Sequence, residues 1–180
     1  MENKIFGPVY KNIAETLTID PGDHTGWAYW DLSLRPVVGS FTYASEFKKL
    51  GKPWQIYSLA ENFGNMIRDN FADGLIKQVV IEEVSVWENS LKSMAAAKRG
   101  DLFKLAMVIG GYIHVCGDFG IPVRLVKPND WKGQLPDDAV ARRVTAINGQ
   151  QYPNPHIYSA VGIGLNEAGI FKDMGVKSGR

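Results

Sequence analysis

The chain has 180 residues, of which 45% are hydrophobic and 22% charged, with a formal net charge of +1 and a single cysteine, Cys116. That length and composition suit one domain with a full-sized core and exclude a disordered or low-complexity chain. A lone cysteine excludes an intrachain disulfide, so Cys116 is expected to be a buried, inert thiol in a reducing compartment.

Residues 1–15 read as an N-terminal leader, and residues 16–175 as one domain. The first strand is Thr16-Leu17-Thr18-Ile19-Asp20, closed by the turn pair Pro21-Gly22. Two more strands follow, Thr25–Trp30 and Val37–Tyr43, and the three make an antiparallel meander. Residues 45–53, with Lys48, Lys49, Gly51, Lys52 and Pro53, read as a loop. Ile56, Leu59, Ala60, Phe63, Met66 and Ile67 recur at three- and four-residue spacing, which predicts a helix from about Trp54 to Phe71.

Val79–Val84 is a short apolar run with an acidic end, expected as a buried strand. A long helix is predicted from about Ser90 to Cys116, ended by Gly117 and Gly120. Pro122–Val126 is the fifth strand, and the polar segment 127–134 is a loop. Pro136-Asp137-Asp138 opens a helix that stops near Asn148-Gly149, its acids suited to the positive end of the helix dipole. Asn154-Pro155-His156 begins the last helix, with Asn154 as cap, running towards Gly169. This order predicts an α/β fold: a five-stranded mixed sheet flanked by helices on both faces.

Three places carry potential chemistry. Asp20 ends an otherwise apolar strand, where a carboxylate either caps the turn or is paired or metal-bound. Glu82 and Glu83 end another. Side chains alternate along a strand, so only one of the two shares a side with Asp20. Carboxylates at the ends of neighbouring strands are what a hard divalent cation needs. His156 and Ser159 are three residues apart at a helix start and share a face.

Leu17-Thr18-Ile19-Asp20-Pro21-Gly22 followed by Thr25-Gly26-Trp27 resembles the first motif of RuvC-type Holliday-junction resolvases. Val80-Ile81-Glu82-Glu83-Val84 is similar to their second motif, and 154–164 resembles their C-terminal motif. The resemblance spans roughly residues 16–170. It implies an RNase H-like nuclease domain that resolves four-way junction DNA as a homodimer. It also implies a site built on Asp20, Glu82 and His156, with two Mg2+ or Mn2+ ions per site. His156 is then either a ligand or a general base.

Ser159 departs from the pattern, because the family has Asp there. The expectation is a crossover junction endodeoxyribonuclease impaired at that ligand position. Three accounts of the serine stand in order: an engineered inactive form, a natural form with altered metal use, and a relative that binds DNA without cutting. The alternatives at the level of function are a catalytically inactive junction-binding protein, or another RNase H-like nuclease.

Trp87, Lys92, Lys98, Arg99, Lys127 and Lys132 are the candidate DNA contacts, Lys132 foremost because its loop follows a strand expected to end at the site. Trp87 is equally a core residue by composition. A near-neutral net charge is compatible with such a binder when acids line the site and bases form a patch. The helix from Ser90, with Ala95, Ala96 and Gly100, is a candidate dimer surface. The N-terminal residues have no signal-peptide pattern, and no apolar run approaches the ~20 residues that span a bilayer. A cytoplasmic protein with no membrane partner is therefore expected.

Overall fold

The computed structural model describes residues 13–31, 35–71, 74–85, 95 and 99–173. β1 (Thr16–Asp20), β2 (His24–Trp30) and β3 (Val37–Thr42) form the meander. After a 3-10 turn at Ser45–Lys48 come α1 (Lys52–Asn70) and β4 (Gln78–Glu82). The remaining elements are α2 (Asp101–Asp118), β5 (Val123–Val126), the single turn α3 (Pro128–Trp131), α4 (Asp137–Asn148), α5 (Pro155–Glu167) and the short α6 (Ile170–Asp173). The sheet order is β3-β2-β1-β4-β5. β1 and β2, and β2 and β3, pair antiparallel, whereas β4 is parallel to both β1 and β5.

The alternation of β1 divides the core. Leu17 and Ile19 point to one face, with Val79 and Ile81 of β4, and pack under α1 and α2 against Leu59, Phe63, Val108 and Tyr112. Ala28, Trp30, Val80 and Val126 point to the other face, under Val144, Ile157, Ala160, Val161 and Ile163 of α4 and α5. Thr18 is a buried polar residue on this second face. Its hydroxyl lies 2.8 Å from the carbonyl oxygen of Ala160 and accepts a hydrogen bond from Trp30 Nε1 at 3.1 Å. Cys116 is buried, as expected.

The structure departs from the sequence expectations in four places. Part of the segment 45–53 is helical, because Phe47 folds back to stack on Trp54 of α1 at 6.1 Å. α1 starts at Lys52, with Pro53 supplying a first-turn residue that needs no hydrogen-bond donor. The predicted helix from Ser90 to Cys116 is not continuous. Gly100 adopts a left-handed conformation with φ 73, and α2 begins after it at Asp101; residues 90–94 and 96–98 of the predicted helix lie outside the described residues. The polar segment 127–134 contains the helical turn α3. Among the described residues no helix is long and apolar enough to cross a membrane.

Candidate active site

The parallel register pairs Thr18 with Val80 and Ile19 with Ile81. The next step sets Asp20 beside Glu82, on the same face as Thr18 and Val80. Both carboxylates therefore end their strands at one edge of the sheet, under the start of α5. Glu82 is only 7% exposed.

α5 brings the third group. The Asn154 side chain caps the helix by accepting the His156 backbone N–H at 2.8 Å, and Pro155 occupies the first turn. His156 Nδ1 lies 2.8 Å from Oδ2 of Asp20. Ser159, one turn further along and buried, joins Asp20, Glu82 and His156 in the lining of a cavity of about 300 Å³.

Neighbouring contacts hold the turn after Asp20. The buried Lys104 ammonium pairs with Asp23 at 2.5 Å and with Gln55 Oε1 at 2.6 Å, tying α2, α1 and the β1–β2 turn together. The Thr25 hydroxyl hydrogen-bonds with the Tyr112 hydroxyl at 2.6 Å, and also contacts the Gly22 carbonyl at 3.0 Å.

Lys132, the residue after α3, joins the lining of the same cavity. Its Nζ lies 3.2 Å from Glu82 Oε1. The other oxygen, Oε2, is buried with no hydrogen-bond partner. Burial first, and the adjacent Asp20 carboxylate second, push the Glu82 carboxyl up from 4.5 to about 8, against the pull of Lys132. The hydrogen bond to Asp20 raises the His156 imidazole above its ordinary range, partly opposed by burial. An anionic partner favours the protonated ring.

Asp20, Glu82, His156 and Ser159 thus converge, and Lys132 joins them. Lys127 and Arg99 do not. Both are exposed and lie outside the cavity lining, and Arg99 is engaged with Asp101 at 2.8 Å. Trp87, Lys92 and Lys98 lie outside the described residues.

Sequence reasoning did not place two further acidic residues in the wall. Glu83 lines the cavity along with Glu82 because β4 ends at Glu82, so strict alternation no longer governs the next side chain. Asp137, read from sequence only as a helix-dipole acid, lines it too, and its position at the start of α4 was the available signal.

Among the described residues no group of three or more His, Cys, Asp or Glu side chains is arranged to hold a metal ion. Ser159 supplies no charge, and Lys132 and His156 each occupy one carboxylate oxygen. Mg2+, however, is commonly held by one or two carboxylates, with water and substrate phosphate completing its shell. The orphaned Oε2 of Glu82 beside Asp20 fits that requirement for one hard cation.

This five-stranded mixed sheet, with an acid at the end of each central parallel strand and helices on both faces, is an α/β fold of RNase H-like topology. Its structural neighbours are RuvC Holliday-junction resolvases. It is similar to Thermus thermophilus RuvC in complex with a Holliday junction substrate, with a TM-score of 0.62 and 16% identity, covering 88% of this chain and 93% of that one. A second Thermus thermophilus RuvC structure gives a TM-score of 0.58 and 18% identity, covering 88% and 94%. At such identity the likeness is one of fold. No family model matches the chain, and no curated protein sequence matches it.

Proposed function

We propose that this protein is a structure-selective DNA endonuclease that acts on four-way junctions as a homodimer, with cleavage weakened by Ser159. The observation that carries this reading is the meeting of Asp20, Glu82 and His156 at one edge of the sheet, in a cavity open on one side. The likeness in fold to RuvC supports the choice of substrate.

Asp20 and Glu82 would hold Mg2+ or Mn2+, which when bound withdraws charge from a phosphodiester and eases attack upon it. The protein groups divide the remaining work. Asp20 holds His156 by Nδ1, which leaves Nε2 to take a proton from an attacking water. Lys132 offers a charged donor to a phosphate oxygen. The start of α5 adds the positive end of a helix dipole. Ser159 offers a neutral hydroxyl where the RuvC pattern has a carboxylate.

A dimer supplies the paired sites that paired cuts require. On α2, Phe103 (72% exposed), Met107 (44%) and Ile113 (40%) stand with Gly110 and His114 in an exposed stripe at three- and four-residue spacing. An apolar stripe of this kind suits a second copy, and Gly110 permits close approach. It lies downstream of Ala95 and Gly100, which the sequence had suggested.

The second reading is a protein that binds junctions without cutting them, and Ser159 is the observation that favours it. One paired assay separates the two: junction binding and timed junction cleavage, with Mg2+ or Mn2+, for this chain and for Ser159→Asp. Restored cleavage in the variant supports the endonuclease. Tight binding with no cleavage by either protein supports the binding protein.

A further inference from the structure

We infer that the site takes one divalent cation rather than two, and that the Lys132 ammonium holds the second cationic position. The inference rests on the reading of this cavity as a phosphate-handling centre.

Lys132 is not a loose surface lysine. It follows α3, and its backbone N–H closes that turn on the Pro128 carbonyl at 2.9 Å. The preceding Trp131 is fully buried, with its ring 5.5 Å from that of Phe171. Gly162 of α5 makes room for it, since a Cβ there would lie 2.5 Å from the indole. The Lys132 ammonium sits 5.0 Å from the Trp131 ring centroid and 3.2 Å from Glu82 Oε1. The core thus sets the place of this charge, and a cation fixed over an aromatic face gains from it.

The oxygen inventory limits what else can bind. Asp20 and Glu82 present two carboxylates. Lys132 occupies Oε1 of Glu82, and His156 occupies Oδ2 of Asp20. The oxygens that remain include the buried, unpartnered Oε2 of Glu82. Those suffice for one ion. Two ions about 3.5–4 Å apart need further anionic ligands to offset their mutual repulsion. Ser159, facing the cavity, contributes none. Glu83 and Asp137 line its walls but complete no three-residue ligand group among the described residues.

The test is the stoichiometry of Mn2+ uptake, read by calorimetry and by the electron paramagnetic resonance of free Mn2+, with four-way junction binding measured in parallel. Each protein's fold is checked by circular dichroism. The unaltered chain is expected to take one Mn2+ per chain, and Lys132→Arg, which keeps the charge, also one. Lys132→Met combined with Ser159→Asp is expected to take two. Two ions in the unaltered chain, or only one in a folded double variant, overturns the inference. No Mn2+ uptake with junction binding retained overturns it and leaves the junction reading standing. Loss of both overturns the two together.

Discussion

Gly26 and His156 touch backbone to backbone: a Cβ at position 26 would lie 2.2 Å from the His156 carbonyl oxygen. The missing side chain on β2 is what lets α5 begin directly over the sheet edge, and so what lets the imidazole reach Asp20. Gly26→Ala must therefore separate helix from strand. Overpacking of this kind costs about 1–3 kcal/mol, and backbone against backbone belongs at the upper end. Chemical denaturation should show a loss of about 3 kcal/mol, with junction cleavage by the Ser159→Asp background lowered further. A change within error would show that α5 does not need this approach.

Metal-free stability should fall as the pH rises. Glu82 and His156 both have folded-state pKa values above their ordinary ones. Folding takes up protons in that interval. The contribution of Glu82 is complete below about pH 4.5 and is lost as the pH climbs through about 8. That of His156 is complete below 6.5 and is lost above it. The Glu82 part is on the order of 5 kcal/mol at most. Glu82→Gln should flatten the profile and be the more stable protein at pH 8. Urea unfolding from pH 5 to pH 8 with chelator present measures this. Mg2+ should recover stability chiefly at the alkaline end, because it binds the deprotonated site.

Junction affinity and cleavage should respond differently to Ser159→Asp. Binding rests on phosphate contacts and DNA shape, so affinity at fixed salt is expected to change by no more than a few-fold. Cleavage should rise by orders of magnitude, since a lost metal ligand costs on the order of several kcal/mol of barrier. Full-rate cleavage by the unaltered chain would remove Ser159 from the required positions.

Phe103→Asp should weaken self-association with little effect on the folded chain. The side chain is 72% exposed, so folding stability should stay within about 0.5 kcal/mol. A buried interface aromatic replaced by a charge is worth at least about 2 kcal/mol of association, or more than 30-fold. Sedimentation velocity across a concentration series reads both. An unchanged distribution would move the dimer surface off α2.

How much of this was legible beforehand depends on whether the determining contacts are local. Leu17, Ile19 and Val79–Ile81 announce buried strands by composition, and Asn154-Pro155 announces a helix start, so Asp20, Glu82 and His156 were readable as strand and helix ends. The Gly100 break was not, because a glycine within an apolar period is tolerated in a helix and its left-handed conformation depends on tertiary context. The Lys132–Glu82 pair was not either. No local pattern reports a contact between a loop lysine and a strand carboxylate so far apart in sequence. Nor does sequence reveal that Trp131 and Gly162 jointly set where that lysine stands.

Thr18 and Asp20 point the same way along β1, two residues apart, and their partners Ala160 and His156 are one helical turn apart on α5. Two steps of strand advance about 6.6 Å. Four residues of helix advance about 6.0 Å. The two periods nearly coincide, and the pairs run in opposite chain directions, so helix and strand mesh like a rack with matching teeth. Apolar packing alone tolerates a slip of the helix along the sheet. Here a slip would break the Thr18–Ala160 hydrogen bond in the same motion that pulled His156 from Asp20. The buried hydroxyl therefore acts as a ruler: the distance between two chemical groups at the rim is measured out, one turn deeper, by a bond that takes no part in the chemistry.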